Sequence, residues 1–297
     1  MHAAATVLLL REVEGELEVL MMRRGSGLSF MAGMWVFPGG RVDAADASEA
    51  AGRRLAPSAG AASRDRLQTL EGEPLPAGQE RALRVAACRE TFEEAGVLLA
   101  RDAEGRPCPA ERVTGLQPLR DPVAGDAVAF VAMLEREDLY LDVDRLVYWS
   151  HWITPSLEPK RFDTRFFAIA LPTGHEVSAD LSELTHHAWI RPARAPEAIE
   201  RGEIRVVPPT LLTLEDLAES HARHGSLETM LVAERGRAAP PVMPRIEVCA
   251  GATRVVMPWD PAYATVPGEG CRPVAGFPAH LALRRSCIEV TAGRETR

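Results

Sequence analysis

The 297-residue sequence has no concentrated basic stretch, no long hydrophobic run, no Cys-x-x-Cys pair and no internal repeat of useful length. Each absence removes a class of function. Acidic residues outnumber basic ones, 42 to 34, for a net charge of −8. A protein that grips a nucleic-acid backbone needs a concentrated cationic face instead. Acidity does not exclude a small anionic substrate, because a few arginines can hold a phosphate locally. The opening residues, MHAAATVLLLREVEG, carry one short apolar run and no basic leader. They read as a strand running into a turn, not as a signal peptide or membrane span. The five cysteines, at 88, 108, 249, 271 and 287, are odd in number and far apart. That pattern fits free thiols in a reducing compartment, so the expected location is the cytoplasm. What remains, 46% hydrophobic and 26% charged residues, suffices for one large domain or for one domain with an appendage.

Along the chain, ATVLLLREVEGELEVLMMRR predicts a β-hairpin: Thr6 to Leu10 and Leu17 to Met22 flank a turn at Glu14-Gly15. In VFPGGRVD, Pro38-Gly39-Gly40 requires a tight turn or a closely approached backbone. Residues 47–79 are rich in Ala, Arg, Ser, Gly and Pro, and read as a mostly surface insertion with a short helix. From Gln79 to Ala95 the pattern is helical, with Val85, Cys88, Phe92 and Ala95 on one apolar face and Gly96 placed to end the helix. VLLA then resumes as strand. Residues 106–145 hold several helical stretches broken at Pro122 and Gly125. VYWSHWITP, RFDTRFFAIALP and HHAWIRPA predict strands; PEAIERG and TLLTLEDLAESHARHG predict helices. GRAAPPVMPR, residues 236–245, is a linker by composition. IEVCAG and ATRVVMPWD form a hairpin, and a small tail follows. The expected organisation is a main domain over 1–235, the linker, and an extension over 246–297 whose role is open between a dimer contact and a lid.

The stretch RETFEEAG, residues 89–96, places Glu90, Glu93 and Glu94 on the side of that helix opposite the apolar face. Like charges at this spacing oppose helix formation by a few tenths of a kcal/mol per pair, roughly. Such a stripe is either a solvated face or the seat of a divalent cation. Three features favour the cation. No lysines are interleaved with the acids. Arg89 is adjacent and can orient carboxylates through bidentate bonds. The glycine turn upstream can add backbone oxygens. Hard oxygen donors suit Mg²⁺ or Mn²⁺ rather than zinc.

These residues resemble the Nudix hydrolase motif, G-x5-E-x7-R-E-U-x-E-E-x-G-U with U a bulky aliphatic. Arg89, Glu90, Glu93, Glu94, Gly96 and Val97 match its second half, Thr91 replaces its first U, and Gly40 resembles its opening glycine. The motif spans 14 positions from glycine to arginine, whereas Gly40 to Arg89 spans 49, so 35 residues are extra. Its first acid falls on Asp46 counting forward from Gly40, and on Arg81 beside Glu80 counting back from Arg89. That glutamate is replaced or displaced. An interrupted box is similar to the subgroup of peroxisomal-type coenzyme A diphosphatases. GLSFMAGMWVFPGGRVDAAD, WITPSLEPKRFDTRFFAIALP and VVPPTLLTLEDLA extend the likeness over residues 5 to about 220.

The resemblance implies a Nudix-type α/β/α sandwich with a mixed sheet, an insertion within the box and a C-terminal extension. It implies hydrolysis of a nucleoside diphosphate linked to another group, by in-line attack of water with metal clamping of the phosphates. Glu93 and Glu94 would be metal ligands, and the Gly40 carbonyl a further one. Glu90 would be a ligand or the base, and Arg89 would hold the glutamates in place. CoA or acyl-CoA is the first substrate expected, although the arginine of the CoA signature is Ser29 here. ADP-ribose, NADH or another dinucleotide is the alternative, and a nucleotide sensor without turnover the third reading.

Other candidates come from the residues themselves. Arg23, Arg24 and Arg41 flank the glycine turn, as phosphate contacts or as surface arginines. Arg161 and Arg165 alternate with Phe162 and Phe166, either presenting guanidinium and aromatic groups to a nucleotide or leaving core aromatics with solvent-facing arginines. Glu183, in SELTHHAW, is instead a candidate by resemblance, lying where many Nudix proteins place a late acid. His186-His187, pointing to opposite faces of a strand, read as surface residues rather than metal ligands. Gly25 to Gly27 supports no dinucleotide fold.

Overall fold

The computed structural model describes residues 1–25, 32–56, 67–178, 184–249, 252–270 and 284–290. The chain opens with the expected hairpin, β1 (His2–Val13) and β2 (Glu16–Arg24). Glu14 and Gly15 both take positive φ, 53° and 77°, as a two-residue turn matching strand twist requires. The two strands pair only from Leu10 and Val19 to the turn. Beyond that they part, and WVFPGGR fills the fork: β3 (Trp35–Val36) pairs with β2 and β4 (Gly39–Arg41) pairs with β1. The Pro38 carbonyl closes the gap by accepting from Val7 N–H at 2.8 Å.

Helices α1 (Glu49–Arg53) and α2 (Ala77–Ala95) follow. Next come β5 (Ala100–Arg101), α3 (Ala110–Leu116), α4 (Arg120–Val123), α5 (Ala127–Arg136) and β6 (Tyr140–Leu141). Strands β7 (Val147–Ile153), β8 (Phe162–Ala170) and β9 (Leu184–Ile190) lead to α6 (Ala195–Glu200), α7 (Pro208–His224) and α8 (Leu227–Ala233). Strand β10 (Pro241–Val242) precedes β11 (Arg245–Cys249), β12 (Ala252–Val256) and β13 (Cys287–Val290). Eight of the described strands form one mixed sheet ordered β10-β7-β8-β1-β2-β3, with β4 on β1 and β9 on β2. β1 runs parallel to β8 and antiparallel to β2.

The apolar run of β1 is continuous because both of its faces are covered. Val7 and Leu9 pack with α2, α3 and α5. Leu8 and Leu10 pack with Leu212, Leu214 and Leu217 of α7 and Met230 of α8. Burying each such leucine fully stabilises the fold by roughly 1.5–3 kcal/mol. This is the α/β/α sandwich.

Four local expectations change. VLLA is buried coil, with only Ala100–Arg101 joining β6 in a separate two-stranded sheet. Helix α2 is covered on nearly every side, Arg84, Arg89 and Glu93 included, because the insertion and α4–α5 cover what would be its solvent face. The insertion is not confined to the surface: Arg54 and Ala56 bond the backbone of Leu141, and Leu67 is buried in the main core. Residues 236–245, read as a linker, hold β10 against β7, with Ala239, Val242 and Met243 buried. Proline is tolerated there because β10 is an edge strand. The extension forms a three-stranded sheet, β11-β12-β13, that docks on α7 through Arg284 to Asp216 and Arg285 to Glu215. Among the described residues no helix is long and apolar enough to cross a membrane.

Candidate active site

The fork between β1 and β2 carries Gly39 and Gly40 to the face of the sheet on which α2 lies. The approach is close: a methyl group on Gly40 would stand 2.4–2.5 Å from the Glu90 carboxylate, and one on Gly39 would stand 2.4 Å from the Ala5 carbonyl. At Gly39 the clash is with backbone and only glycine fits; at Gly40 any side chain would have to push the Glu90 carboxylate aside. Helix α2 ends one turn past Glu93, where Gly96 adopts φ 69° and its N–H caps the Phe92 carbonyl.

Arg89 is the centre of the site, 3% exposed, with all five N–H donors used. Nε and one Nη hold Asp46 in a two-point grip, 3.0 Å each. The same Nη reaches the Arg41 carbonyl at 2.9 Å, and the other reaches Glu90 and Glu93, both at 2.9 Å. Burial alone would lower the Arg89 pKa, but Asp46, Glu90 and Glu93 outweigh it and hold the guanidinium charged. Glu93 also accepts from Gly125 N–H at 3.0 Å, and Arg120 binds the Glu93 carbonyl at 2.7 Å. Glu94 accepts from Gly39 N–H at 2.9 Å.

Three carboxylates therefore share one arginine. Among them the pKa of Glu90 is pushed up to about 7. Burial is the main cause; Glu93 and Asp46 add to it, and Arg89 opposes it. Among the described residues no three His, Cys, Asp or Glu side chains converge as a ready metal cage. Glu93 and Glu94 are turned onto backbone amides instead. The donor set is nonetheless all oxygen, with more negative charge than its arginine neutralises, and it suits a hard divalent cation.

Asp46 was the ambiguous acid of the sequence, and the structure places it at the forward count of six from Gly40. It is 0% exposed. Its backbone turn is a capping box with Asp43, so the carboxylate is fixed before Arg89 reaches it. Asp46 serves as Arg89's partner, not as part of the glutamate stripe. The Gly39, Gly125 and Arg120 contacts had no sequence signal beyond their glycines.

The remaining candidates separate. Arg23 and Arg41 are exposed and Arg24 is half-buried. Arg161 is turned to the Thr154 carbonyl, Glu269 and Met243. Arg165 is 1% exposed and lies on the α2 face, bonded to Asp163 and to the Gln68 carbonyl. It cannot share a surface with Phe166, which is buried on the α7 face. His186 and His187 are exposed on β9. Cys88, Cys108 and Cys287 are free thiols. Ser29 and Glu183 lie outside the described residues.

A mixed sheet between helices, with a glycine turn seated on a glutamate helix and an arginine locking the acids, is the arrangement of a Nudix hydrolase. The crystal structure of a Nudix hydrolase from Alicyclobacillus acidocaldarius superposes with TM-score 0.59 at 29% identity, over 78% of this chain and 96% of that one. The profile of the NUDT19 Nudix domain matches residues 2–217, and the chain belongs to that family. The human acyl-coenzyme A diphosphatase NUDT19 is 34% identical over 227 residues, 67% of this chain and 60% of that protein. Its chicken counterpart is 35% identical over 228 residues, 66% and 60% respectively. The chain thus spans about 60% of the length of these two relatives.

Proposed function

We propose that the chain is a divalent-metal-dependent hydrolase that cleaves the pyrophosphate of a nucleoside diphosphate linked to another group, with CoA or acyl-CoA as substrate. The observation that carries this reading is the Glu90 carboxylate seated against Gly40, with Asp46, Glu90 and Glu93 all sharing Arg89. Glu90, Glu93, Glu94 and the Gly40 carbonyl are the proposed holders of Mg²⁺ or Mn²⁺. The ion would offset phosphate charge and lower the pKa of attacking water. Glu90 is either a further ligand of the ion or, if left off it, the base that takes the proton of the attacking water. Arg89 keeps Glu90 and Glu93 oriented, Asp46 keeps Arg89 oriented, and Gly39 N–H keeps Glu94 beside the glycine turn. Arg23, Arg24 and Arg41 are proposed phosphate contacts.

CoA is favoured because the human and chicken relatives are named acyl-coenzyme A diphosphatases. The presence of all three glutamates argues against a sensor without turnover. The cytoplasm remains the proposed location.

The test is a panel of CoA, acetyl-CoA, ADP-ribose, NADH and diadenosine polyphosphates with Mg²⁺, Mn²⁺ or EDTA. Metal-dependent conversion of CoA to phosphopantetheine and adenosine 3′,5′-bisphosphate is expected. Turnover of ADP-ribose or a dinucleotide instead would keep the chemistry and reject the substrate. Metal binding without turnover of any panel member would favour the sensor.

A further inference from the structure

The segment that leads from the insertion back into the carboxylate helix, residues 67–76, is gripped from outside the Nudix motif. It folds back on itself as a short turn: Thr69 N–H reaches the Glu73 carbonyl and Leu75 N–H the Leu67 carbonyl, both at 2.8 Å. It then passes into α2 at Pro76, which offers no side-chain cap to the first turn. Without a side-chain cap, the helix start is held by contacts further along, such as Arg84 to the Val143 and Leu146 carbonyls, and by the arm that leads into it.

Its anchors lie on the α2 face of the sheet. Leu67 enters the main core. The Gln68 carbonyl accepts from an Arg165 Nη at 2.5 Å. Arg165 is in turn held by Asp163, and Asp163 accepts from His151 Nε2 at 2.6 Å. Leu70 packs on Ile153 and Met243, which the β7–β10 register places side by side. Met243 comes from the stretch after α8, beyond the matched Nudix profile, and is fixed by later residues. Tyr263 donates to its carbonyl at 2.6 Å, and Arg161, paired with Glu269 at 3.2 Å, reaches its sulfur at 3.3 Å.

We infer that Arg165 and Met243 are positioning residues, which clamp the return arm 67–76 between the sheet and the C-terminal extension and so fix the start of the helix that carries Glu90, Glu93 and Glu94. The extension is therefore a brace for the active-site helix. The anchors come from β8 (Arg165), the end of β7 (Ile153) and the residue after β10 (Met243), with Leu67 in the main core. A helix is stiff along its axis, so a displaced start is carried to the carboxylates about four to five turns on. The metal part of this inference rests on the proposed function; the mechanical part does not.

The test uses the full-length chain and four proteins: wild type, Arg165→Met, Arg165→Lys and Met243→Ala. Amide hydrogen exchange is followed by mass spectrometry, and Mn²⁺ affinity by electron paramagnetic resonance. Exchange over 67–80 should speed up about tenfold in Arg165→Met and in Met243→Ala, as local opening becomes easier. Mn²⁺ affinity should fall roughly tenfold in the same two variants, as it does when groups supporting metal ligands are lost. Arg165→Lys, which keeps a donor for the Gln68 carbonyl, should restore most of both. Unchanged exchange over 67–80 would overturn the clamp. Faster exchange over 67–76 with Mn²⁺ affinity intact would overturn the positioning role. If Arg165→Met does not fold, Met243→Ala and Arg165→Lys decide. If wild type binds no Mn²⁺, the proposed function fails, and exchange at residues 77–80 alone decides the clamp.

Discussion

Arg89 and Asp46 stand 43 positions apart in the sequence and meet in the core through two hydrogen bonds of 3.0 Å. The insertion loops out between them without disturbing the pair. On either side of it the glycine turn and the glutamate helix meet, Gly40 against Glu90 and Asp46 on Arg89.

Removing Asp46 leaves Arg89 with two buried donors unpaired. Breaking a buried pair from one side costs about 3–5 kcal/mol. Asp46→Ala should therefore unfold at markedly lower urea, and Asp46→Glu should recover part of the loss. Urea melts of the three proteins check this. A loss within the range of a surface substitution, below about 0.5 kcal/mol, would remove Asp46 from the account.

Gly40→Ala should abolish hydrolysis while leaving the protein folded. The added methyl displaces the Glu90 carboxylate, 2.4–2.5 Å away, and that side chain can swing aside. Kinetics on the identified substrate should show kcat down by about 10²-fold or more, the scale of a lost catalytic group. Thermal melts should move little. Retained activity would mean that Glu90 does not act from this position.

The raised pKa of Glu90 has a signed consequence. Its value is about 7 in the fold against an ordinary 4.5. The native state thus keeps a proton that the unfolded chain has released. Its contribution to stability is full below about pH 4.5 and is lost as pH rises through about 7. In EDTA, wild type should lose roughly 3 to 4 kcal/mol more than Glu90→Gln over that window, at about 1.4 kcal/mol per pH unit. Added Mn²⁺ should reverse the loss, because a metal-bound carboxylate is deprotonated. Parallel pH profiles for the two proteins would contradict this.

Glu93 and Glu94 should differ on substitution. Glu93→Gln disturbs Arg89 and the Gly125 amide together, so both stability and turnover should fall. Glu94 contacts Gly39 at the rim, so Glu94→Gln should lose kcat by about 10²–10⁴-fold with a small change in melting temperature. Paired melts and turnover assays separate the two. Equal destabilisation would show that Glu94 is also a structural acid.

Much of this was legible in the residues. The hairpin could be read because Glu14-Gly15 separates two apolar runs, and the end of α2 because Gly96 follows a periodic face. The glutamate stripe was legible as spacing. Its burial was not, because periodicity within α2 says nothing of the insertion and α4–α5 that cover its second face. Asp46 was ambiguous because forward and backward counts disagree across an insertion, and only the fold shows where the extra residues leave the motif. Arg165 was correctly placed on a strand, but the arm that buries it comes from nearly 100 positions upstream. Residues 236–245 look like a linker because proline and alanine dominate, yet an edge strand needs only one bonded side.

The most direct measurement is a Mn²⁺ titration of the purified chain by electron paramagnetic resonance, near pH 7.5, for wild type, Glu90→Gln and Glu94→Gln. Wild type should bind saturably, and binding should weaken roughly tenfold or more in each variant. Three identical isotherms, or no binding to wild type, would contradict the claim that these glutamates are a metal cradle.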